Sequence, residues 1–121
     1  MKNTSWLQAF GHAFRGIRRT AARERNFRIQ IIVAALAVAA CIIFRVDSWH
    51  FLAVVISIFF VLAMELVNTA VEAVVDLICQ NKPHPMAKIA KDAAAGAVLM
   101  ASFMAAIVGA LTALSVLSRG V

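Results

Sequence analysis

The sequence predicts an all-α integral membrane protein, with three membrane-crossing helices and an N-terminal amphipathic helix lying at the membrane surface. Three observations predict it. Of the 121 residues, 63% are hydrophobic and only 15% are charged, against roughly 45 to 50% apolar in a soluble domain. Three apolar stretches are long enough to cross hydrocarbon, which takes about 20 helical residues. The basic residues gather in the N-terminal region and around the joints between those stretches.

The N-terminal stretch "WLQAFGHAFRGIRRTA" places Trp6, Phe10, Phe14 and Ile17 on one helical stripe, while Arg15, Arg18 and Arg19 fall on other faces. This pattern suits a helix over residues 5–23 lying in the membrane interface, or packed in part on protein. His12 reads as a solvated or interfacial side chain rather than a ligand. The first span, "FRIQIIVAALAVAACIIF", covers residues 27–44 and is slightly short. Its basic flank is too long, and too helical in pattern, for a cleaved signal peptide. The second span covers residues 49–78, and the third, residues 93–117, carries no charge. With no linker, repeat or low-complexity tract, residues 1–121 read as one membrane domain.

Orientation follows from the basic residues. Lys2, Arg15, Arg18, Arg19, Arg23 and Arg25 precede the first span with Arg28 at its start, and Lys82, Lys88 and Lys91 separate the second from the third. The other joint, "RVDS", sets Arg45 against Asp47, and the C-terminus holds Arg119. The positive-inside rule therefore puts the N-terminus in the cytoplasm and the C-terminus outside. The net charge of +6 has no aromatic or glycine interleaving to stack bases, which argues against nucleic acid and for an anionic membrane surface. Cys41 and Cys79 fall near opposite faces of the membrane and read as packing residues.

The second span ends in an unusual stretch, "AMELVNTAVEAVVD". At about 100° per residue, Glu65, Asn68, Glu72 and Asp76 fall at roughly 0°, 300°, 340° and 20°, a single polar stripe. An ionised carboxylate at mid-helix costs on the order of 3 kcal/mol by insertion scales, so such a stripe faces a protein interior or a wet cavity and needs cations. One source is "KIAKD", with Lys88, Lys91 and Asp92; the other is a divalent metal, for which carboxylates and an amide are suitable oxygen ligands. Glu24, in "RERNFR", sits at the same cytoplasmic depth. Convergence of these acids with a lysine points to handling of a phosphate through magnesium. Glu65 and Glu72 are about 10 Å apart along the axis and Asp76 lies about 6 Å farther toward water, so one metal cannot bridge all three. That grading leaves metal and nucleotide at the watery end and Glu65, deeper, as a general base toward a lipid alcohol. From the residues alone, a proton-coupled transporter stands level with an enzyme, and a structural role is a third possibility.

"ERNFR", "ELVNTAVEAVVD" and "HPMAKIAKDAAAGAV", in this order between these spans, resemble the small prokaryotic membrane kinases, the diacylglycerol and undecaprenol kinase family, over nearly the whole chain. The resemblance implies a homotrimeric helical bundle in the bacterial plasma membrane, with active sites shared between subunits, using MgATP to phosphorylate a lipid alcohol. It further implies Glu65 as catalytic base, Glu24 and Glu72 as magnesium ligands, and Asn68 as a polar partner holding the site together. Lys91 would meet the ATP phosphates, and Asp76 and Asp92 would organise the nucleotide pocket. "ARERNFR", "NTAVE" and "HPMAKIAKDAAAGAV" are closer in type to the Gram-positive undecaprenol kinases, with diacylglycerol as the alternative acceptor. Ser5 does not match a basic residue common in the family near the start of the surface helix.

Other residues have plainer readings. His84 and Pro85 suit a turn or an adenine contact equally. Gly96 and Gly109 suit close helix packing. Arg28 reads as a topological anchor rather than a substrate contact, and Trp49 and His50 as anchors at the outer interface.

Overall fold

The computed structural model describes residues 5–119; Lys2 lies outside them. Four helices follow one another: α1 (Trp6–Arg23), α2 (Arg25–Ile43), α3 (Ser48–Cys79) and α4 (Pro85–Arg119). No strand occurs among the described residues. Three of the helices, α2, α3 and α4, are long and apolar enough to cross a membrane.

Their lengths differ in a way that matters for the site. With 19 residues, α2 is about 28 Å long and matches a hydrocarbon core of about 30 Å. With 32 and 35 residues, α3 and α4 reach about 48 and 52 Å, so both project well beyond that core. α4 begins at Pro85, about two turns before the uncharged stretch expected from residue 93. Those extra turns carry Lys88, Lys91 and Asp92 on a rigid helix rather than a loop.

Local chemistry fixes each joint. Ser5 caps α1 by accepting from the Gln8 backbone N–H at 3.2 Å, in a Ser-x-x-Gln arrangement of the capping-box kind. α1 ends where Glu24 turns extended, at φ −102° and ψ 110°. There the Arg28 guanidinium donates to the carbonyls of Ala21 and Ala22 at 2.9 and 3.0 Å. Arg28 thus staples the end of α1 to the first turn of α2, a role more specific than a topological anchor. At the far end of α2, Arg45 takes φ 51°, and the carbonyls of Phe44 and Arg45 accept from the Arg119 guanidinium at 2.7 and 2.9 Å. Asp47 caps α3, accepting from the His50 backbone N–H at 3.4 Å and pairing with its ring at 2.7 Å. The His50 ring beside it holds the Asp47 carboxyl below the ordinary carboxylate range. Between α3 and α4, Gln80 and Asn81 take φ 53° and 61°, and the Asn81 N–H donates to the Asp76 carbonyl at 3.1 Å, closing the helix in left-handed fashion. His84 Nδ1 then accepts from the Met86 N–H at 3.1 Å, capping α4 with Pro85 at the first helical position.

α4 packs along α3, α2 packs on α3, and α1 touches both α2 and α3. Phe27, 2% exposed, is the largest fully buried side chain among the described residues. α2 and α4 flank α3 without packing on each other, leaving an apolar groove of about 740 Å³ bordered by Val33, Ala37, Val54, Ile58, Ala105 and Thr112, with Gln30 on its wall. The hydroxyls inside this apolar frame satisfy themselves locally. Ser57 donates to the Val54 carbonyl at 2.9 Å and Thr112 to the Val108 carbonyl at 2.8 Å.

Replacing Arg28 with Met removes both bonds to the end of α1. A loss on the order of 1 kcal/mol of local stability corresponds to about fivefold more frequent opening. Limited trypsin digestion in lipid discs should show cleavage after Arg23 and Arg25 accelerated by that factor, with an unchanged helical circular-dichroism spectrum.

Candidate active site

The stripe on α3 is positioned by one unbroken helix, so its residues keep the spacing that the sequence gives them. Glu65 is 6% exposed, whereas Asn68, Glu72 and Asp76, nearer the projecting end, are partly exposed. Opposite Glu65 stands Gln30 of α2, whose Nε2 donates to Glu65 Oε2 at 3.5 Å, the long end of the hydrogen-bonding range. Three polar atoms here are enclosed and have no hydrogen-bond partner: Gln30 Oε1, Asn68 Oδ1 and Thr69 Oγ1. Thr20, Ser57 and Thr112 each give their hydroxyl to a backbone carbonyl; Thr69 does not. Enclosed polar groups are nearly always paired, so three unpaired ones near a buried acid stand out.

Toward the projecting end the charges meet. Lys91 Nζ on α4 pairs with Asp76 Oδ1 on α3 at 2.6 Å, tying the two helices at the level of the stripe. Glu72 lies within electrostatic range of Glu24, Lys91, Glu65 and Asp76. Glu24 reaches this place because the break between α1 and α2 sets it at the corner of both helices. Asp92 is placed differently: it accepts from Lys88 Nζ at 2.8 Å, one turn back on the same helix, with both side chains more than half exposed. Adjacent helical residues diverge by about 100°, so Asp92 does not share the face on which Lys91 meets α3. Of the seven residues singled out from the sequence, six gather along the stripe and Asp92 stands aside from it.

Among the described residues, no three His, Cys, Asp or Glu side chains stand close enough to hold a metal ion by themselves. A magnesium ion can be held by only one or two protein carboxylates when substrate phosphates and waters complete its octahedron, and Glu24 and Glu72 supply ligands of that type.

Sequence reasoning missed two members of the site. Thr69 lies at about 40° on the wheel that places Glu65 at 0°, on the stripe itself, yet its short, part-apolar side chain blended with the neighbouring alanines. Gln30 is the one amide in "FRIQIIVAALAVAACIIF". That isolation was the available signal, because an unpaired amide in hydrocarbon is costly. His84 and Ser5 turn out to be helix caps.

Fold and site together define a multi-pass helical membrane protein with a polar, carboxylate-rich site where its long helices emerge. Comparison with known proteins places it further. A family model for prokaryotic diacylglycerol kinase matches residues 11–113. The undecaprenol kinase of Bacillus subtilis is 43% identical over 109 residues, covering 88% of this chain and 85% of that protein. The diacylglycerol kinase of Synechocystis is 39% identical over 103 residues, 85% of this chain but 59% of that longer protein. The diacylglycerol kinase of Escherichia coli is 33% identical over 104 residues, 86% of this chain and 84% of that protein. The chain belongs to the prokaryotic diacylglycerol kinase family.

The two ion pairs of α4 should differ measurably. Lys88 and Asp92 form an exposed i,i+4 pair, so Asp92→Asn should leave the thermal midpoint within about 1 °C, whereas Asp76→Asn, which unties α3 from α4 and leaves Lys91 facing only the remaining stripe, should lower it by roughly 2 to 4 °C. Differential scanning fluorimetry of the protein in lipid discs separates the two.

Proposed function

We propose that this chain is a membrane lipid kinase that transfers the γ-phosphoryl group of ATP to the hydroxyl of undecaprenol, giving undecaprenyl phosphate. The observation that carries the reading is Glu65. A carboxylate 6% exposed in the middle of a membrane-crossing helix, beside enclosed polar atoms that lack partners, is a base placed where a lipid alcohol arrives and water does not. The likeness to the Bacillus subtilis protein, named for undecaprenol, along 85% of its length supports undecaprenol as acceptor. Diacylglycerol is the second reading, favoured by the names of the Synechocystis and Escherichia coli relatives.

In this mechanism Glu65 accepts the hydroxyl proton as the acceptor oxygen bonds to the γ-phosphorus and the bond from that phosphorus to the bridging oxygen of ADP breaks. Glu24 and Glu72 hold magnesium, which when bound screens the charge of the phosphoryl oxygens. Lys91 turns from Asp76 to the phosphates. A part-exposed ion pair, with side chains 38% and 42% exposed, is weak enough for a polyphosphate to compete for the lysine. Asp76 keeps Lys91 aimed at the site between turnovers, Asn68 steadies the polar cluster, and Asp92 borders the nucleotide pocket from outside the stripe. The acceptor's tail lies in the apolar groove between α2 and α4, whose wall includes Gln30.

Residues 1–121 work as one membrane kinase domain in the bacterial plasma membrane, N-terminal side inside and C-terminal side outside. α1 lies on the inner surface, where Trp6 and Phe14, 83% and 68% exposed, enter the headgroup layer and the arginines meet anionic lipid. The active unit is a homotrimer with shared sites. Asn68 and Thr69, enclosed but unpartnered within one chain, support completion of the site from outside the subunit.

Two measurements test the reading. Protein in lipid discs, supplied side by side with undecaprenol and diacylglycerol, should phosphorylate undecaprenol faster and only with ATP and magnesium; equal or reversed preference overturns the acceptor assignment. Glu65→Gln should lower turnover by roughly a hundredfold to ten-thousandfold, the span of general base catalysis, while size-exclusion chromatography shows unchanged assembly. Glu65-dependent ion flux without ATP or phosphorylated lipid would instead make the chain a transporter.

A further inference from the structure

We propose that Gln30 is the positioning residue for the general base: its amide holds the Glu65 carboxylate before proton transfer and, by turning over, accepts a hydrogen bond from the same group once it is protonated. This rests on the kinase reading above. The geometry is a contact between two helices that are distant in sequence. Gln30 Nε2 on α2 donates to Glu65 Oε2 on α3 at 3.5 Å, and the other half of the amide, Oε1, is enclosed without any partner.

An amide is suited to this place because it offers donors on one side and an acceptor on the other. A base that works in a poorly solvated site passes through two states with opposite needs. As a carboxylate, Glu65 needs a donor; after taking the acceptor's proton it becomes a carboxylic acid and needs an acceptor. A lysine would serve only the first state and a carboxylate only the second. Rotation of Gln30 about its terminal bond exchanges Nε2 for Oε1 at the same distance and serves both. In apolar surroundings, hydrogen bonds are stronger than in water and an unpaired polar atom is more costly. The unpartnered Oε1 is therefore an acceptor held in reserve. The proton balance is closed: the acceptor's O–H bond breaks, the proton passes to Glu65, and it leaves toward water after ADP and the phosphorylated lipid depart, while Gln30 is neither protonated nor consumed. The length of the observed bond fits a base that tightens onto its partner only when the acceptor is present.

Gln30 also lines the apolar groove, so the residue that orients the base borders the path of the acceptor's tail. No other side chain outside α3 makes a hydrogen bond to the stripe at the depth of Glu65 among the described residues; the Lys91 bond to Asp76 lies near the projecting end.

The test compares Q30M, Q30L and Q30H with the unaltered protein in lipid discs containing undecaprenol, with saturating acceptor and varied ATP. Q30M and Q30L remove the amide at nearly constant volume; Q30H restores one donor and one acceptor. Loss of a hydrogen bond to a charged group corresponds to roughly a ten- to hundredfold fall in kcat. That fall is expected in Q30M and Q30L with the KM for ATP within about twofold, because Lys91 and the Glu24 and Glu72 pair are untouched. Q30H should recover most of the loss, a rescue that a merely packing role would not produce. Assembly is checked by size-exclusion chromatography, and whichever of the two apolar variants assembles carries the comparison. Unchanged kcat in the assembled apolar variant, or a Q30H variant as slow as it is, overturns the role of Gln30. Absence of phosphorylated lipid with the unaltered protein overturns the kinase reading instead.

Discussion

A charged carboxylate is not tolerated against hydrocarbon, and the arrangement of this protein depends on keeping the acids of α3 away from it. Each acid on the stripe meets the problem at a different depth. Asp76 lies where α3 projects beyond the core and is tied to Lys91 of α4. Glu72 shares a field with Glu24 and Lys91. Glu65 is enclosed by protein, with Gln30 of α2 as its donor. The cost of desolvation rises with depth, and the partners change accordingly, from an ammonium at the watery end to an uncharged amide farther in. The site is thus graded from a charged end, where Lys91 meets Asp76, to a drier end at Glu65 and Gln30.

The same constraint governs the joints. In a membrane protein the last turns of each helix leave carbonyls that water cannot always reach. Here charged side chains from neighbouring helices take them. Arg28 closes α1, and Arg119 closes α2 from the far end of α4. At the helix starts, Ser5, Asp47 and His84 supply acceptors for free N–H groups. The Arg28 cap closes α1 just before Glu24. The extended residue between α1 and α2 is Glu24 itself, so the break between the helices falls on one of the carboxylates singled out from the sequence.

The chain belongs to the prokaryotic diacylglycerol kinase family. The residues of its candidate site lie on α2, α3 and α4 and at the joint between α1 and α2, held by packing and capping.

The sequence by itself determined the three spans, the surface pattern of α1 and the stripe of Glu65, Asn68, Glu72 and Asp76, because these depend on periodicity within one helix, and helical geometry converts spacing into direction. It also held Thr69 and Gln30 in plain view, although neither a threonine among alanines nor one amide in an apolar run reveals its partner. Only the tertiary structure decided which helix meets which. It set Gln30 against Glu65 and Lys91 against Asp76, and it turned Asp92 toward Lys88. It also turned Arg28 and Arg119 from charges in a count, and His84 from a turn residue or adenine contact, into caps on particular carbonyls and amides. The reason is physical: the position of a residue along a helix follows from a fixed rise and rotation, but the rotation of one helix about its axis relative to another is set by packing, which no single helix encodes.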